Sequence, residues 1–249
     1  MYCLFVSNPL HCYFLFIIRH LPLHCWRNMA NAYLPFTTLQ TMRSMQIHTF
    51  NVGMLSTNCY VVNCVQTREA IIIDPGLDVP SEAEQIVRYV DKSKLKVKFI
   101  VNTHGHPDHI RGDRTLKEKY SVPICIHAYD AHCLHALGGN ISPVNILLED
   151  EGLIKFGQET LKVMHTPGHT PGSICLLARG DDETHLFSGD TLFAGSVGRA
   201  DFPGGDAHAL RESIGRLAGL PGETRVHTGH GPDTTIERES RVNFFWPRR

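Results

Sequence analysis

Residues 103–109 read Thr103-His104-Gly105-His106-Pro107-Asp108-His109, directly after the apolar run 97–101. Three histidines and one aspartate therefore stand within six residues. Gly105 and Pro107 favour a turn that lets alternate side chains converge. Imidazole and carboxylate ligands without thiolates are typical of a catalytic rather than a structural metal site, with Zn²⁺, Fe or Mn as candidate ions. The stretch predicts a metal-binding loop at the end of a buried strand.

Three later stretches each add one candidate ligand. His169 stands in the Gly- and Pro-rich turn 166–173, Asp190 follows the strand-like run 184–188, and His230 is flanked by glycines after another such run. Taken singly, a strand-end Asp is often a helix cap and a His among glycines is often a turn residue. Together with the first loop they form one ordered pattern, H-x-H-x-D-H followed by a distant His, an Asp and a final His.

This pattern resembles the metallo-β-lactamase superfamily over roughly residues 46–245. The resemblance implies an α/β fold, an αββα sandwich of one domain, with a two-metal site at one edge between the sheets. The implied ligands are His104, His106 and His169 for the first metal, Asp108, His109 and His230 for the second, and Asp190 as the bridge. Many true metallo-β-lactamases have a cysteine ligand where this chain has Asp190, which disfavours β-lactam hydrolysis.

The expected chemistry follows from two divalent cations, for which zinc is the first choice and iron or manganese the alternatives. Two cations about 3.5–4 Å apart can hold a water between them, lower its pKa and polarise a carbonyl or phosphoryl oxygen. The expected nucleophile is the hydroxide that bridges the metals, so no Ser or Cys nucleophile is required. Asp108 and Asp190 are the candidate catalytic carboxylates.

Asp74 is the candidate residue behind the ligands. It matches the acidic residue that follows an early strand in the superfamily, and it precedes Pro75-Gly76. Metal-bound histidines normally donate their free N–H to a carboxylate or a carbonyl, so Asp74 would orient the ligand loop by hydrogen bonds. An ordinary β-turn aspartate is an equally good interpretation of the same residue.

The segment after Asp190 indicates a substrate class. Residues 189–199, Gly-Asp-Thr-Leu-Phe-Ala-Gly-Ser-Val-Gly-Arg, resemble the part of glyoxalase II that carries the bridging aspartate and then a basic substrate contact. Arg199 is therefore the candidate substrate-binding residue, and a surface arginine paired with Asp201 is the alternative. The resemblance, here to a short form of glyoxalase II, implies hydrolysis of thioesters such as S-2-hydroxyacylglutathione.

Two other functions fit the same pattern. A persulfide dioxygenase keeps a similar histidine loop with a single iron, and also has a Gly-Arg-x-Asp-Phe stretch like residues 198–202. A lactonase or another ester hydrolase of the superfamily is the further alternative.

Composition bears on partners and location. The 249 residues carry a formal net charge of -1, so no overall field favours nucleic acid or an anionic membrane. The expected partner is a small-molecule substrate, with a glutathione thioester as the candidate. Eight cysteines without a C-x-x-C pair favour free thiols and a cytoplasmic location.

Residues 1–44 differ from the rest of the chain. Their longest apolar run, 12–18, is shorter than the roughly 18–20 residues needed to span a bilayer. Arg19 follows this run instead of preceding it, which disfavours a secretory signal. We expect an unstructured extension, with Met42 or Met45 as an alternative start, followed by one hydrolase domain over residues 45–249.

The remaining pattern predicts one α/β unit in which helices cover sheets. Ser81-x-x-Glu84 resembles a capping box for a helix that ends near Val90. The predicted strands are 46–52, 58–65, 70–73, 97–101, 122–126, 160–165, 173–178, 184–188 and 224–227, and the other predicted helices are 110–119, 128–136 and 206–217.

Overall fold

The alternating strands build two six-stranded sheets. The computed structural model describes residues 45–136, 145–180 and 183–247, and the expectation for residues 1–44 lies outside them. Within the described ranges, no helix combines the length and apolar character that crossing a membrane requires.

The first sheet, called sheet A, holds the amino-terminal strands in sequential order. Its strands are β1 (Met45–Val52), β2 (Thr57–Cys64), β3 (Glu69–Ile73), β4 (Lys96–Val101), β5 (Ile124–His127) and β6 (Asn145–Leu148). Strands β1 to β3 pair antiparallel, whereas β3 to β6 run parallel. Parallel neighbours need a crossover connection, which helices supply between β3 and β4 and between β4 and β5.

The second sheet, sheet B, has the order β14-β13-β10-β9-β8-β7. Its strands are β7 (Leu153–Phe156), β8 (Glu159–His165), β9 (Ile174–Arg179), β10 (Thr184–Gly189), β13 (Arg225–Thr228) and β14 (Thr234–Thr235), and β11 (Leu192–Phe193) and β12 (Ser196–Val197) form a separate hairpin. Strand β9 is antiparallel to both β8 and β10, and β13 is parallel to β10. Strands β8, β10 and β13 therefore end at the same edge of sheet B.

Helices cover the outer faces of both sheets. They are α1 (Pro80–Lys92), α2 (Pro107–Ile110), α3 (Asp113–Tyr120), α4 (Cys133–Ala136), α5 (Ala207–Leu217) and α6 (Ile236–Val242), with a 3₁₀ turn at Ala128–Asp130. The predicted helix over 128–136 is thus wrong in part, because the chain forms a 3₁₀ turn and then a separate short helix. Strands β6 and β7 and helix α6 were not predicted, since each is only four to seven residues long.

The predicted capping box at Ser81 and Glu84 is also wrong. Helix α1 begins at Pro80, whose fixed φ suits the first helical position. Glu82 is the acidic side chain that satisfies the free amides, accepting from the backbone N–H of Asp78 and Val79 at 2.8 and 3.2 Å.

Alternation along the strands separates three apolar layers. In β3, Ile72 packs with Ile86 of α1 outside sheet A, whereas Ile71 and Ile73 face the layer between the sheets. Phe187 of β10 enters that middle layer from sheet B. On the other face of sheet B, Leu186 and Val226 pack with Ile214 and Leu217 of α5. The predicted αββα sandwich is confirmed.

Contacts at one edge join the two sheets. The backbone N–H of Asn58 in β2 donates to the Gly229 carbonyl at 2.8 Å, and Ile174 N–H of β9 donates to the Thr103 carbonyl at 2.8 Å. The loops that follow β4, β8, β10 and β13 all lie at this edge. These four loops carry the candidate ligands.

Candidate metal centre

The structure brings the seven predicted ligand side chains together. Three overlapping groups place their ligand atoms within 4.8 Å of one another: His104, His106 and His169; His104, His109 and Asp190; and Asp108, His109 and His230. The first and third groups have the same members as the two ligand sets that the sequence resemblance implies. The middle group overlaps both.

The first group combines two loops. His104 and His106 follow β4, and their Nε2 and Nδ1 atoms are 3.1 Å apart. His169 enters from the loop between β8 and β9, with its ring centroid 4.6 Å from that of His106. His104 Nε2 and His106 Nδ1 thus lie side by side, and the His169 ring packs against the ring of His106.

The third group places a carboxylate between two imidazoles. His109 Nε2 lies 3.2 Å from His230 Nε2, and Asp108 Oδ2 lies 3.3 Å from His230 Nε2. His109 is fully buried, whereas the Asp108 and His230 side chains are about one quarter exposed. The third group therefore forms the more open part of the centre.

Asp190 stands between the groups. Its Oδ1 is 3.3 Å from His109 Nε2, and its Oδ2 is 3.4 Å from His169 Nε2. The positive φ of +48° at the preceding Gly189, together with its close approach to Thr103, directs the chain into this position. Oδ2 also lies 3.6 Å from His230 Nε2, so the carboxylate contacts histidines of both groups.

The residues fit divalent cations. His169 Nε2 and Asp190 Oδ1 are buried side-chain atoms without a hydrogen-bond partner in the described part of the chain. Leaving such atoms unsatisfied costs free energy, so native proteins pair nearly all of them. Both atoms face the cluster of nitrogen and oxygen donors, which is the ligand chemistry of zinc, iron or manganese. A bound cation would satisfy both atoms.

Asp74 supports the ligands carried by sheet A. Its carboxylate, 1% exposed, accepts from the backbone N–H and the hydroxyl of Thr103 at 2.7 Å each. Oδ2 of Asp74 also lies 3.0 Å from Nδ1 of His109. Thr103 Oγ1 is in turn 3.1 Å from His104 Nδ1. The structure therefore places Asp74 behind two candidate ligands, although its φ of +50° also makes it a turn residue.

Main-chain carbonyls hold the histidines carried by sheet B. His169 Nδ1 donates to the Arg199 carbonyl at 2.7 Å, and His230 Nδ1 donates to the Leu55 carbonyl at 3.0 Å. Because a carbonyl only accepts, the proton of each neutral ring is on Nδ1. The Nε2 lone pair of each ring is then free for a cation.

Burial favours the neutral form of the two imidazoles that follow β4. Burial, followed by the neighbouring His109 and His169, lowers the pKa of His104 well below its ordinary value. Burial likewise lowers the pKa of His106. Neutral imidazole is the form that binds a metal ion.

The carboxylates keep their charge. Burial alone would raise the pKa of Asp108, but the hydrogen bond from His230 and the nearby His109 bring it down to about 2. The pKa of Asp190 is also lowered, because His109 outweighs the effect of burial. Burial would lower the pKa of His109, but Asp190 and Asp74 raise it well above its ordinary value. A cation would compete with that proton.

The family model of the Metallo-beta-lactamase superfamily matches residues 52–230. The chain belongs to this superfamily. An uncharacterized protein of Aquifex aeolicus (strain VF5) is 39% identical over 212 residues, which cover 81% of this chain and 97% of the relative. Hydroxyacylglutathione hydrolase GloC of Haemophilus influenzae is 32% identical over 212 residues, covering 78% of this chain and 97% of GloC.

Three solved structures share this fold. The crystal structure of BLEG-1 B3 metallo-beta-lactamase has a TM-score of 0.72 at 36% identity and covers 80% of this chain and 99% of its own. ETHE1 from Myxococcus xanthus has a TM-score of 0.69 at 30% identity, covering 80% and 83%. TTHA1623 in a di-iron-bound form has a TM-score of 0.65 at 35% identity, covering 80% and 99%.

Arg199 lies at the rim of this superfamily site. Its Nε and Nη2 donate to the two carboxylate oxygens of Asp201 at 2.7 Å each. The guanidinium also stands 3.7 Å from the ring centroid of Phe202, and that ring is 5.9 Å from the ring of His106. The side chain thus lies near the candidate metal centre. It is also paired with Asp201, as the alternative interpretation of Arg199 as a surface residue predicts.

One further hydroxyl at the centre was missed by the sequence reasoning. Thr57 Oγ1 lies 3.5 Å from Asp108 Oδ2, and Thr57 itself forms an isolated β-bridge with His230. No spacing signal in the sequence links Thr57 to residues 51 and 173 positions later. The contact exists because β2 and the loop after β13 meet at the shared edge.

Proposed function

We propose that this chain is a dinuclear metal-dependent thioesterase that hydrolyses S-2-hydroxyacylglutathione or a closely related thioester. The observation that carries the dinuclear assignment is the Asp190 carboxylate, with one oxygen toward His109 and the other toward His169. Seven clustered ligands also exceed the four that close a structural zinc site.

The proposed cofactors are two divalent metal ions. His104, His106 and His169 would hold the first, Asp108, His109 and His230 the second, and Asp190 would bridge them. Zinc is the first candidate, and the di-iron form of TTHA1623 supports iron as an alternative. When bound, two such ions supply a nucleophile from water at neutral pH and polarise the carbonyl under attack.

The chain's own residues contribute orientation and charge. Asp74 fixes the direction of His109 and, through Thr103, of His104. Asp108 and Asp190, the proposed catalytic carboxylates, stay ionised and can accept hydrogen bonds from the attacking water. Asp108 Oδ2 lies 3.6 Å from His109 Nε2 and 3.3 Å from His230 Nε2, so this oxygen would be the ligand atom of a side chain that is 22% exposed.

Two observations support the thioester class. The relative GloC, a hydroxyacylglutathione hydrolase, matches over nearly its whole length. Arg199 stands at the rim of the centre, where a guanidinium could bind an anionic carboxylate of the substrate.

The five cysteines among the described residues, Cys59, Cys64, Cys125, Cys133 and Cys175, are free thiols, which supports the proposed cytoplasmic location.

A mononuclear iron persulfide dioxygenase is the second candidate. The stretch 198–202 favours it, because the structure places Phe202 beside His106 and the Arg199 carbonyl on His169. The same stretch thus contacts two members of the first ligand group, and its Gly198 also approaches the backbone of Asp190. A lactonase or another ester hydrolase would use the same two-metal centre with a different substrate rim.

Metal analysis and a substrate panel separate these candidates. Protein purified without added metal is analysed for zinc, iron and manganese, then assayed with S-lactoylglutathione, other thioesters, a lactone, a phosphodiester, a β-lactam and glutathione persulfide. We expect about two metals per chain and thiol release fastest from S-lactoylglutathione. One iron per chain with oxygen consumption on the persulfide would replace the thioesterase by the dioxygenase.

A further inference from the structure

A carboxylate outside the ligand set connects two of the ligand loops. Asp130 is 1% exposed and ends the 3₁₀ turn after β5. Its Oδ2 accepts from the backbone N–H of Gly105 at 2.8 Å and from the hydroxyl of Thr170 at 2.7 Å. Its Oδ1 accepts from the backbone N–H of Gly172 at 2.8 Å. All three donors belong to loops that carry proposed ligands.

The same two loops have glycines where Asp130 approaches. A Cβ on Gly172 would lie 2.5 Å from Asp130 Cγ, and a Cβ on Gly105 would lie 3.2 Å from Asp130 Cβ. Gly105 would also meet the Sγ of Cys133 at 2.7 Å. These overlaps mean that the two loops can close on the carboxylate only because neither glycine has a side chain.

The two loops together carry the complete first ligand group. Gly105 separates His104 from His106 after β4 of sheet A, and Thr170 follows His169 between β8 and β9 of sheet B. No other residue of the described chain is needed to complete that group. The distance between the two loops therefore sets the distance between its nitrogen atoms.

We propose that Asp130 is a positioning residue that locks these two loops together and so sets the affinity and geometry of the first metal. Its carboxylate makes three charge-assisted hydrogen bonds, which are stronger than neutral ones. The inference rests on the metal site of the proposed function and not on the substrate assigned to it.

Asp130→Asn is the informative variant, since it keeps the shape of the side chain. An amide has one acceptor oxygen, so its NH₂ group must face either the N–H of Gly172 or the N–H of Gly105. In either orientation the amide NH₂ group faces a backbone N–H, and two donors cannot form a hydrogen bond. One of the two loops therefore loses its hydrogen bond to this side chain. We expect the affinity for the first metal to fall about ten- to a hundredfold, the range found for residues that orient metal ligands.

Glu239→Gln is the matched control. Glu239 is fully buried, and its Oε2 accepts from the backbone N–H of Gly195 at 2.7 Å and from Asn243 Nδ2 at 2.8 Å. Its Oε1 accepts from the Thr234 hydroxyl at 2.5 Å and from Arg238 Nη1 at 2.9 Å. These bonds join the β11–β12 turn and β14 to α6, and none of the partners is adjacent in sequence to a proposed ligand. The control therefore loses comparable hydrogen bonds without loosening a ligand loop.

The experiment titrates Co²⁺ into metal-stripped wild type, Asp130→Asn and Glu239→Gln, with a competing chelator to measure each affinity. The readouts are the visible Co²⁺ spectrum, both dissociation constants and the unfolding midpoint of the metal-free protein. We expect Asp130→Asn alone to change the spectrum and weaken the first metal, with the second metal affected less. Glu239→Gln should lower only the unfolding midpoint.

Two outcomes would overturn the inference. One is a wild-type spectrum and affinity in Asp130→Asn; the other is an equal change in Glu239→Gln, which would indicate general loosening. If Asp130→Asn does not fold, Thr170→Val removes one of the three bonds and must weaken the first metal in the same direction. A wild type that binds both metals but cleaves no thioester would contradict the proposed substrate and leave this test intact.

Discussion

The two sheets orient their histidines with different acceptors. On the loop of sheet A, the acceptor is the buried Asp74 carboxylate, which touches His109 directly and His104 through the Thr103 hydroxyl. A carboxylate adds negative charge behind the ring and makes the imidazole a better donor to a cation. One carboxyl side chain therefore supports two proposed ligands.

The loops of sheet B use neutral acceptors. The Arg199 carbonyl accepts from His169, and the Leu55 carbonyl accepts from His230. A carbonyl fixes the tautomer and the ring direction but adds only a dipole. The proposed centre is therefore more sensitive to substitution on the side of sheet A, where a substitution can remove the acceptor. On the side of sheet B only a movement of the main chain can do so.

Asp190→Ala should have the largest effect, because this carboxylate faces the ligands of both sheets. We expect loss of one metal per chain and a fall in kcat/KM of more than about a hundredfold, which is beyond the usual effect of a residue that only orients ligands. Metal analysis and steady-state kinetics provide the check. A fully active variant with a single metal would show that Asp190 does not bridge two metals, and it would favour the iron dioxygenase.

Asp74→Asn should rank second and tests the sheet A side. Asn tolerates the left-handed φ that Asp74 adopts, but it lacks the charge. We expect metal affinity or kcat/KM to fall about ten- to a hundredfold.

Leu55→Ala is the comparison on the sheet B side, since it removes a side chain that is 64% exposed and keeps the carbonyl on His230. Its metal affinity should match the wild type. Equal losses of affinity in Asp74→Asn and Leu55→Ala would show that the nature of the acceptor does not matter.

The same contrast explains what the sequence could reveal of the site. The loop after β4 places four candidate ligands within six residues, so local spacing was sufficient to find them. His169, Asp190 and His230 come from three separated loops, and only their order along the chain indicated a common site. The main-chain acceptors at Leu55 and Arg199 have no sequence signal, because every residue has a carbonyl.

The fold shows a similar limit. The strand-like runs of β2, β3 and β4 predicted those strands to within one residue, because both faces of β2 and β3 and the carboxyl-terminal end of β4 are buried. Strand β7 has only four residues and pairs with β8 alone. Asp130 was missed for a related reason: its partners Gly105 and Gly172 are 25 and 42 positions away. Long-range contacts of this kind carry no local pattern.

Arg199→Ala should have a smaller and more selective effect, since it keeps the carbonyl that holds His169. Metal content should stay unchanged. If the guanidinium binds a substrate carboxylate, KM for S-lactoylglutathione should rise about tenfold, while a neutral thioester should respond little. The hydrogen bonds from Arg199 hold the pKa of Asp201 at about 2, so that pKa should rise in the variant, which NMR titration can measure.

Asp201→Asn separates the two roles of Arg199. It removes the competing carboxylate that binds both guanidinium nitrogens. A substrate role predicts that KM for S-lactoylglutathione falls or stays low in Asp201→Asn and rises in Arg199→Ala. If neither variant alters KM, or if both thioesters respond equally to Arg199→Ala, Arg199 does not bind substrate. It is then a surface residue that pairs with Asp201.

Deletion of residues 1–44 should have the smallest effect, and it tests our proposal that residues 45–249 form the hydrolase domain. The contacts of the candidate ligands on both sheets come from residues after 45, and the superfamily match covers 52–230. Metal content, kcat and KM should therefore equal those of the full chain. Solubility should improve, because Cys3, Cys12 and Cys25 and several aromatic residues are removed. A truncated chain that fails to fold would show that the domain begins earlier, and membrane retention that depends on residues 1–44 would identify them as an anchor.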